Sequence, residues 1–211
     1  MDCKPLNPFI ETKVRMWYRL HNKKRNGFMS RKDFIEMADS FIAEFKLDAE
    51  MAHEIRSWLV DGWSGLIKFM KTIGEGTKPN IPIDKIPTVL MVAEKLSKDG
   101  TITEDEYTKA YAESLQIQPS PFPACFSEML SFFFKIFDTD KDGFVTEKDF
   151  ARGWRCFGIE NSKAVKAIFA ELDPSGTGKV DRDTYVGAWL EYMTGMDKNA
   201  PLAKYFTPDI L

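Results

Sequence analysis

Twelve residues, Asp138 to Asp149, read DTDKDGFVTEKD and set carboxylates at the first, third and fifth positions: Asp138, Asp140 and Asp142. A hard divalent cation needs many oxygens at short range, and acids at alternating positions bring three side chains to one centre. Gly143 at position six permits a sharp backbone turn. The carbonyl of Phe144 at position seven can then face the metal while its side chain points away. Val145 at position eight is expected to pair with Val180 in a short ribbon, and Thr146 at position nine to contribute directly or through a water. Three crowded carboxylates repel one another when no cation is present, a cost that an ion offsets. The spacing therefore predicts a calcium site with the ligands Asp138, Asp140, Asp142, Phe144 and Asp149.

Position twelve departs from the usual pattern. Asp149 stands where a Glu chelates through both oxygens, and its side chain is one methylene shorter. The loop must tighten for both oxygens to reach. Weaker calcium binding, or better tolerance of magnesium with its preference for six ligands, is the expected result.

Three other segments repeat the glycine-centred pattern: Gly27-Phe28-Met29-Ser30, Gly100-Thr101-Ile102-Thr103 and Gly178-Lys179-Val180-Asp181. From Asp173, DPSGTGKVDRDT offers oxygens from Asp173, Ser175, Thr177, the Lys179 carbonyl and Asp181, but closes on Thr184. From Asn22, NKKRNGFMSRKD keeps Asn22, Asn26, Gly27 and Asp33 but puts Lys24 at a ligand position. The segment around Gly100 begins at Lys95 and ends with Glu106. These last two are expected to hold no cation and to brace their partner loops.

The elements that position these loops are helices. Phe126, Met129, Leu130, Phe133 and Phe137 follow the three-and-four rhythm of one helix face, as do Val165, Ile168, Phe169 and Leu172. Strong alternation of polarity is absent, so the fold class is all-α: four helix-loop-helix units in two pairs, with very short extended pairings between loops. Breakers fall at Gly74 to Pro87 and at Pro119 to Pro123. The expected organisation is an N-terminal pair at 1–118, a C-terminal pair at 119–196 and a tail at 197–211 covering the core.

Composition narrows the function classes. The 211 residues are 44% hydrophobic and 29% charged, ordinary for a folded globular chain. A net charge of -3 gives no broad positive field for nucleic acid, and the cluster Lys23, Lys24 and Arg25 reads as a solvated loop. Three scattered cysteines, Cys3, Cys125 and Cys156, do not make a disulfide framework and fit a reducing, cytoplasmic setting. The start MDCKPLNPFI lacks the layout of a signal peptide, and no stretch is long and apolar enough to span a bilayer. A monomer is expected. No nucleophile-base constellation, phosphate-cradling glycine loop or metal-spaced His pair is present, so no enzyme activity is expected.

Taken together, FDTDKDGFVTEKDF, LDPSGTGKVDRDTY, RLHNKKRNGFMSRKDF, the insert from Leu47 to Met70 and the closing PLAKYFTPDIL resemble four-EF-hand proteins of the sarcoplasmic calcium-binding type, calexcitin among them. Coelenterate luciferin-binding proteins and photoproteins are close relatives of that family. The resemblance implies a compact α-helical globule of two EF-hand pairs that buffers calcium or signals with it. It also raises an alternative, a calcium-regulated carrier of a small apolar ligand. The chain is 13% aromatic, and Trp17, Trp58, Trp63, Trp154 and Trp189 sit in helical segments among apolar neighbours, which favours packing over a ligand cavity. Only His21 and His53 are available to serve a chromophore. A third reading is a sensor docking partner helices, but the ten methionines are scattered rather than concentrated on one helix pair. Asp149→Glu is expected to raise calcium affinity and to widen the preference for calcium over magnesium, as measured by titrating each ion separately.

Overall fold

The computed structural model describes residues 5–22, 24–62, 87–116 and 122–205. Cys3, Lys23, Trp63, most of the Gly74 to Pro87 breaker and the last six residues of the tail lie outside that set. Four helix-loop-strand-helix units follow one another. The first joins α1 (Pro8–His21) through β1 (Phe28–Ser30) to α2 (Arg31–Phe45). An insert follows, α3 (Ala49–Arg56) running into a π-helical turn at Ser57–Asp61. The second unit is α4 (Pro87–Ser97), β2 (Thr101–Thr103) and α5 (Glu104–Gln116). The third is α6 (Phe122–Phe137), β3 (Phe144–Thr146) and α7 (Glu147–Cys156), and the fourth is α8 (Ser162–Leu172), β4 (Lys179–Asp181) and α9 (Arg182–Thr194). A short α10 (Pro201–Tyr205) closes the described chain.

The strands form two antiparallel ribbons, β1 with β2 and β3 with β4. Their central pairs are Met29 with Ile102 and Val145 with Val180, the apolar eighth positions of the four loops. All four side chains are buried, so each ribbon anchors its two loops to the core as well as to each other.

Every exit helix starts the same way. Ser30, Thr103, Thr146 and Asp181, the ninth loop positions, immediately precede α2, α5, α7 and α9. In the first three the residue three further on is an acid that reaches back: Asp33 Oδ2 accepts from the Ser30 amide at 2.8 Å, and Glu106 Oε2 from the Thr103 amide at 2.9 Å. Asp149 Oδ2 accepts from the Thr146 hydroxyl at 2.8 Å. The fourth closes on Thr184 and has no such acid, but the Thr184 amide donates to Asp181 Oδ1 at 2.8 Å, as the Glu106 and Asp149 amides donate to Thr103 and Thr146 Oγ1. Loop closure and helix capping thus use the same two positions, because both need an acceptor at the helix start.

The two halves share one hydrophobic core. Phe41 of α2 lies against Phe133 and Phe137 of α6 and Phe157 beyond α7, with ring centroids 5.3, 6.2 and 5.0 Å away. Trp17 of α1 meets Trp189 of α9 edge-on at 5.5 Å, and Trp154 stacks on Trp189 at 5.6 Å. Polar ties cross the same boundary: the Tyr111 hydroxyl donates to the Met193 carbonyl at 2.8 Å, and the Lys13 ammonium to the Gly195 carbonyl at 2.7 Å. Leu202 of α10 is fully buried against this core.

The expected apolar faces of α6 and α8 are present. Leu130, Phe133 and Phe137 are buried, Phe126 and Met129 pack at the edge, and Val165, Ile168, Phe169 and Leu172 are buried together. One close approach fixes how α6 meets α7. A methyl group built on Gly153 would fall 2.2 Å from the Phe137 ring, so the helices come together only because position 153 has no side chain. Gly153→Ala should therefore destabilise the fold by about 1–3 kcal/mol through overpacking despite alanine's better helix propensity. The midpoint of urea unfolding measures the loss.

Candidate metal centre

Loop three is the six-residue gap between α6 and β3. Its backbone turns through the left-handed region twice, at Lys141 (φ 60°) and Gly143 (φ 86°). The Asp138 carboxylate holds the turn from inside, accepting from the Asp142 amide at 3.1 Å and the Gly143 amide at 3.0 Å. Asp142 in turn accepts from the Phe144 amide at 2.9 Å. These bonds bring carboxylate oxygens of Asp138, Asp140 and Asp142 within 4.8 Å of one another. Among the described residues, no other group of three His, Cys, Asp or Glu side chains converges in this way. An all-oxygen set carrying three negative charges on a glycine-turned loop suits calcium or magnesium and is too hard for a thiolate-seeking metal.

The other two predicted ligands are placed differently. Phe144 opens β3 with its ring exposed, which leaves its backbone in the turn and its side chain away from the core. Asp149 lies outside the carboxylate cluster. It caps α7 with Thr146 and pairs with Arg152, whose Nη1 donates to Asp149 Oδ1 at 2.8 Å. Arg152 also donates from Nε to Glu44 Oε1 at 3.1 Å and from Nη2 to the Glu44 carbonyl at 2.6 Å. Its guanidinium stands 4.4 Å from the Phe45 ring centroid. Lys179, opposite Thr146 in the ribbon, extends its ammonium to Asp142 Oδ2. That hydrogen bond holds the Asp142 carboxyl below its ordinary value.

Loop four has the same backbone shape but answers its acid with hydroxyls. Asp173 accepts from the Thr177 amide at 3.0 Å and the Gly178 amide at 2.6 Å, with the Thr177 hydroxyl 2.9 Å and the Ser175 hydroxyl 3.3 Å away. Thr184, at the closing position, donates its hydroxyl to Asp181. The last position of this loop is a neutral hydroxyl where the usual loop closes on a carboxylate that chelates through two oxygens.

In loop one the Lys24 ammonium donates to Asp33 Oδ1 at 3.0 Å and pairs with Glu36. The ammonium neutralises the closing carboxylate from inside the loop. Asn22, at position one, is buried, and its Oδ1 has no hydrogen-bond partner among the described residues. Loop two is wound differently. Lys95 is not a loop residue at all, because α4 continues through Ser97 and ends in a turn with Asp99 at φ 58° and the Gly100 amide on the Lys95 carbonyl at 2.7 Å. Three residues then remain where the other loops have six. Lys95 pairs with Glu106, and its ammonium holds that carboxyl below its usual range.

Arg152, Lys179 and Glu44 were not among the residues the sequence marked for the loop-three site. Two of them had a readable signal. Lys179 is level with Thr146 once Val145 and Val180 are paired, and Arg152 is one helical turn beyond Asp149. Glu44 had none, since its approach depends on how α2 packs on α7.

Comparison with known proteins finds a family match over the segment that contains loops three and four. The family described as an EF-hand domain pair matches residues 126–190. Residues 126–190 are an EF-hand pair. The chain is 24% identical over 189 residues to a sarcoplasmic calcium-binding protein of Mizuhopecten yessoensis, covering 90% of this chain and 92% of that protein. It is 25% identical over 189 residues to a luciferin-binding protein of Renilla reniformis, covering 88% and 86%. The fold is shared with the coelenterazine-binding protein of Renilla muelleri, solved in a calcium-loaded apo form, at a TM-score of 0.59 and 20% identity over 96% of this chain and 99% of that one. No helix among the described residues is long and apolar enough to cross a membrane.

The N-terminal EF-hand-like unit titrates with acid in a definite direction. Burial pushes the Asp33 carboxyl up, but hydrogen bonds from Ser30 and Lys24 outweigh it and hold the carboxyl below its ordinary 3.8. A folded-state value below the unfolded one contributes stability above the unfolded value and loses it as pH falls through the folded value. Between about pH 6 and about pH 3, the wild type should lose more stability than Asp33→Asn, as read from urea midpoints at each pH.

Proposed function

We propose that the protein takes up one calcium ion in loop three and serves as a cytoplasmic calcium buffer or slow signal modulator. The ligands in this reading are Asp138, Asp140, Asp142, the Phe144 carbonyl and Asp149, with magnesium as a competitor at the same site. The observation that carries it is the convergence of three carboxylates within 4.8 Å on a loop turned by Gly143. Loops one and two satisfy their closing acids with their own lysines and loop four its opening acid with hydroxyls, which supports a single site. In this reading the pairs at 1–118 and 119–196 act as one monomeric unit closed by the tail at 197–211, and no catalytic step is involved.

A second reading is favoured by the similarity to a luciferin-binding protein over most of the chain: a carrier of a small apolar ligand held among the aromatic residues. Recovering the protein from its native tissue with a coloured or fluorescent molecule attached would favour the carrier. Calcium titration calorimetry in a magnesium background tests the main reading. The expected stoichiometry is one, and Asp138→Ala and Asp142→Ala should each abolish uptake. Unaltered uptake in both variants would refute the assignment.

A further inference from the structure

Loop three is not simply an open acidic cup, because two basic side chains from outside it already engage its acids. Lys179 comes from the neighbouring loop and reaches Asp142, the fifth position. Arg152 comes from the exit helix and reaches Asp149, the closing position. Each has somewhere else to go. The Lys179 side chain is 46% exposed and passes over the Phe144 ring, with its ammonium 5.4 Å from the centroid. Arg152 also makes two hydrogen bonds to Glu44 and lies over the Phe45 ring, contacts that do not involve Asp149.

Resting on the reading of loop three as a calcium site, we infer that calcium enters it by exchange, displacing the Lys179 ammonium from Asp142 and the Arg152 guanidinium from Asp149. The two basic residues are then affinity-setting residues of the site. Without metal they lower the mutual repulsion of the carboxylates, which stabilises the calcium-free loop. Near a bound divalent ion they are like charges a few ångströms away. Both effects act against binding, so removing either positive charge strengthens it. The spare partners of Arg152 on Glu44 and Phe45 lower the cost of its release from Asp149.

The test is calcium calorimetry at low and high potassium chloride on the wild type, Lys179→Gln, Lys179→Arg, Arg152→Gln and Asp142→Ala. A partly exposed ion pair contributes up to about 1 kcal/mol, so Lys179→Gln should bind calcium about 2- to 5-fold more tightly than wild type at low salt. High salt should narrow that gap, because screening weakens the charge that was removed. Lys179→Arg should keep the wild-type affinity, and Arg152→Gln should bind more tightly in the same salt-dependent way. Should Arg152→Gln fail to fold, the lysine variants decide the matter alone. Wild-type or weaker affinity in Lys179→Gln, with uptake lost in Asp142→Ala, would overturn the exchange and leave the calcium site standing. No uptake by the wild type would overturn both, and the two failures are told apart by that single titration.

Discussion

Carboxylates gathered on one loop repel one another, and a fold that keeps them together must supply positive charge or hydrogen bonds to offset the crowding. This constraint organises the four loops. Loop one uses Lys24, loop two uses Lys95, and loop four uses hydroxyl and amide donors. Loop three has more acid than its neighbours can answer, with three carboxylates converging and a lysine reaching only one of them. The ammonium groups of Lys24 and Lys95 are tethered counter-ions, each held on the closing acid of its own unit. The loops that carry their own have exchanged responsiveness to the surroundings for permanence.

Constancy of the helix starts makes these substitutions possible. The ninth and twelfth positions cap the exit helix whatever fills the loop centre, so a unit that no longer needs a metal still has a reason to keep its closing acid. Asp33 and Glu106 remain capping residues beside lysines. The buried pairs Met29 with Ile102 and Val145 with Val180 hold the ribbons irrespective of charge. Shape and electrostatics are separable here, since the core fixes the first and a few long side chains fix the second.

Much of this was readable from the sequence because it is local. The carboxylate spacing, the turn at Gly143 and the apolar faces of α6 and α8 follow from residues within one turn or one loop of each other, and the pairing of Val145 with Val180 follows from the repeated loop pattern. What could not be read depends on contacts between distant segments. Lys95 counts as the first position of a twelve-residue loop, yet α4 runs three residues past the expected stop, and nothing in the spacing distinguishes that winding from the usual one. Glu44 belongs to the surroundings of loop three only because α2 packs against α7, a contact made 108 residues away along the chain. Phe41 and Trp17 belong to the first half, yet each also has ring partners in the second, Phe133 and Phe137 for one and Trp189 for the other.

The indoles of Trp17, Trp189 and Trp154 stand in a row across the meeting of the two halves, each within 6 Å of the next. Excitation absorbed by one can pass to the others before it is emitted, so these three of the five tryptophans contribute to the protein's ultraviolet emission as a coupled group. A slight rotation of one half against the other would alter that emission without any dye. The molecule carries its own optical gauge of the joint between its halves.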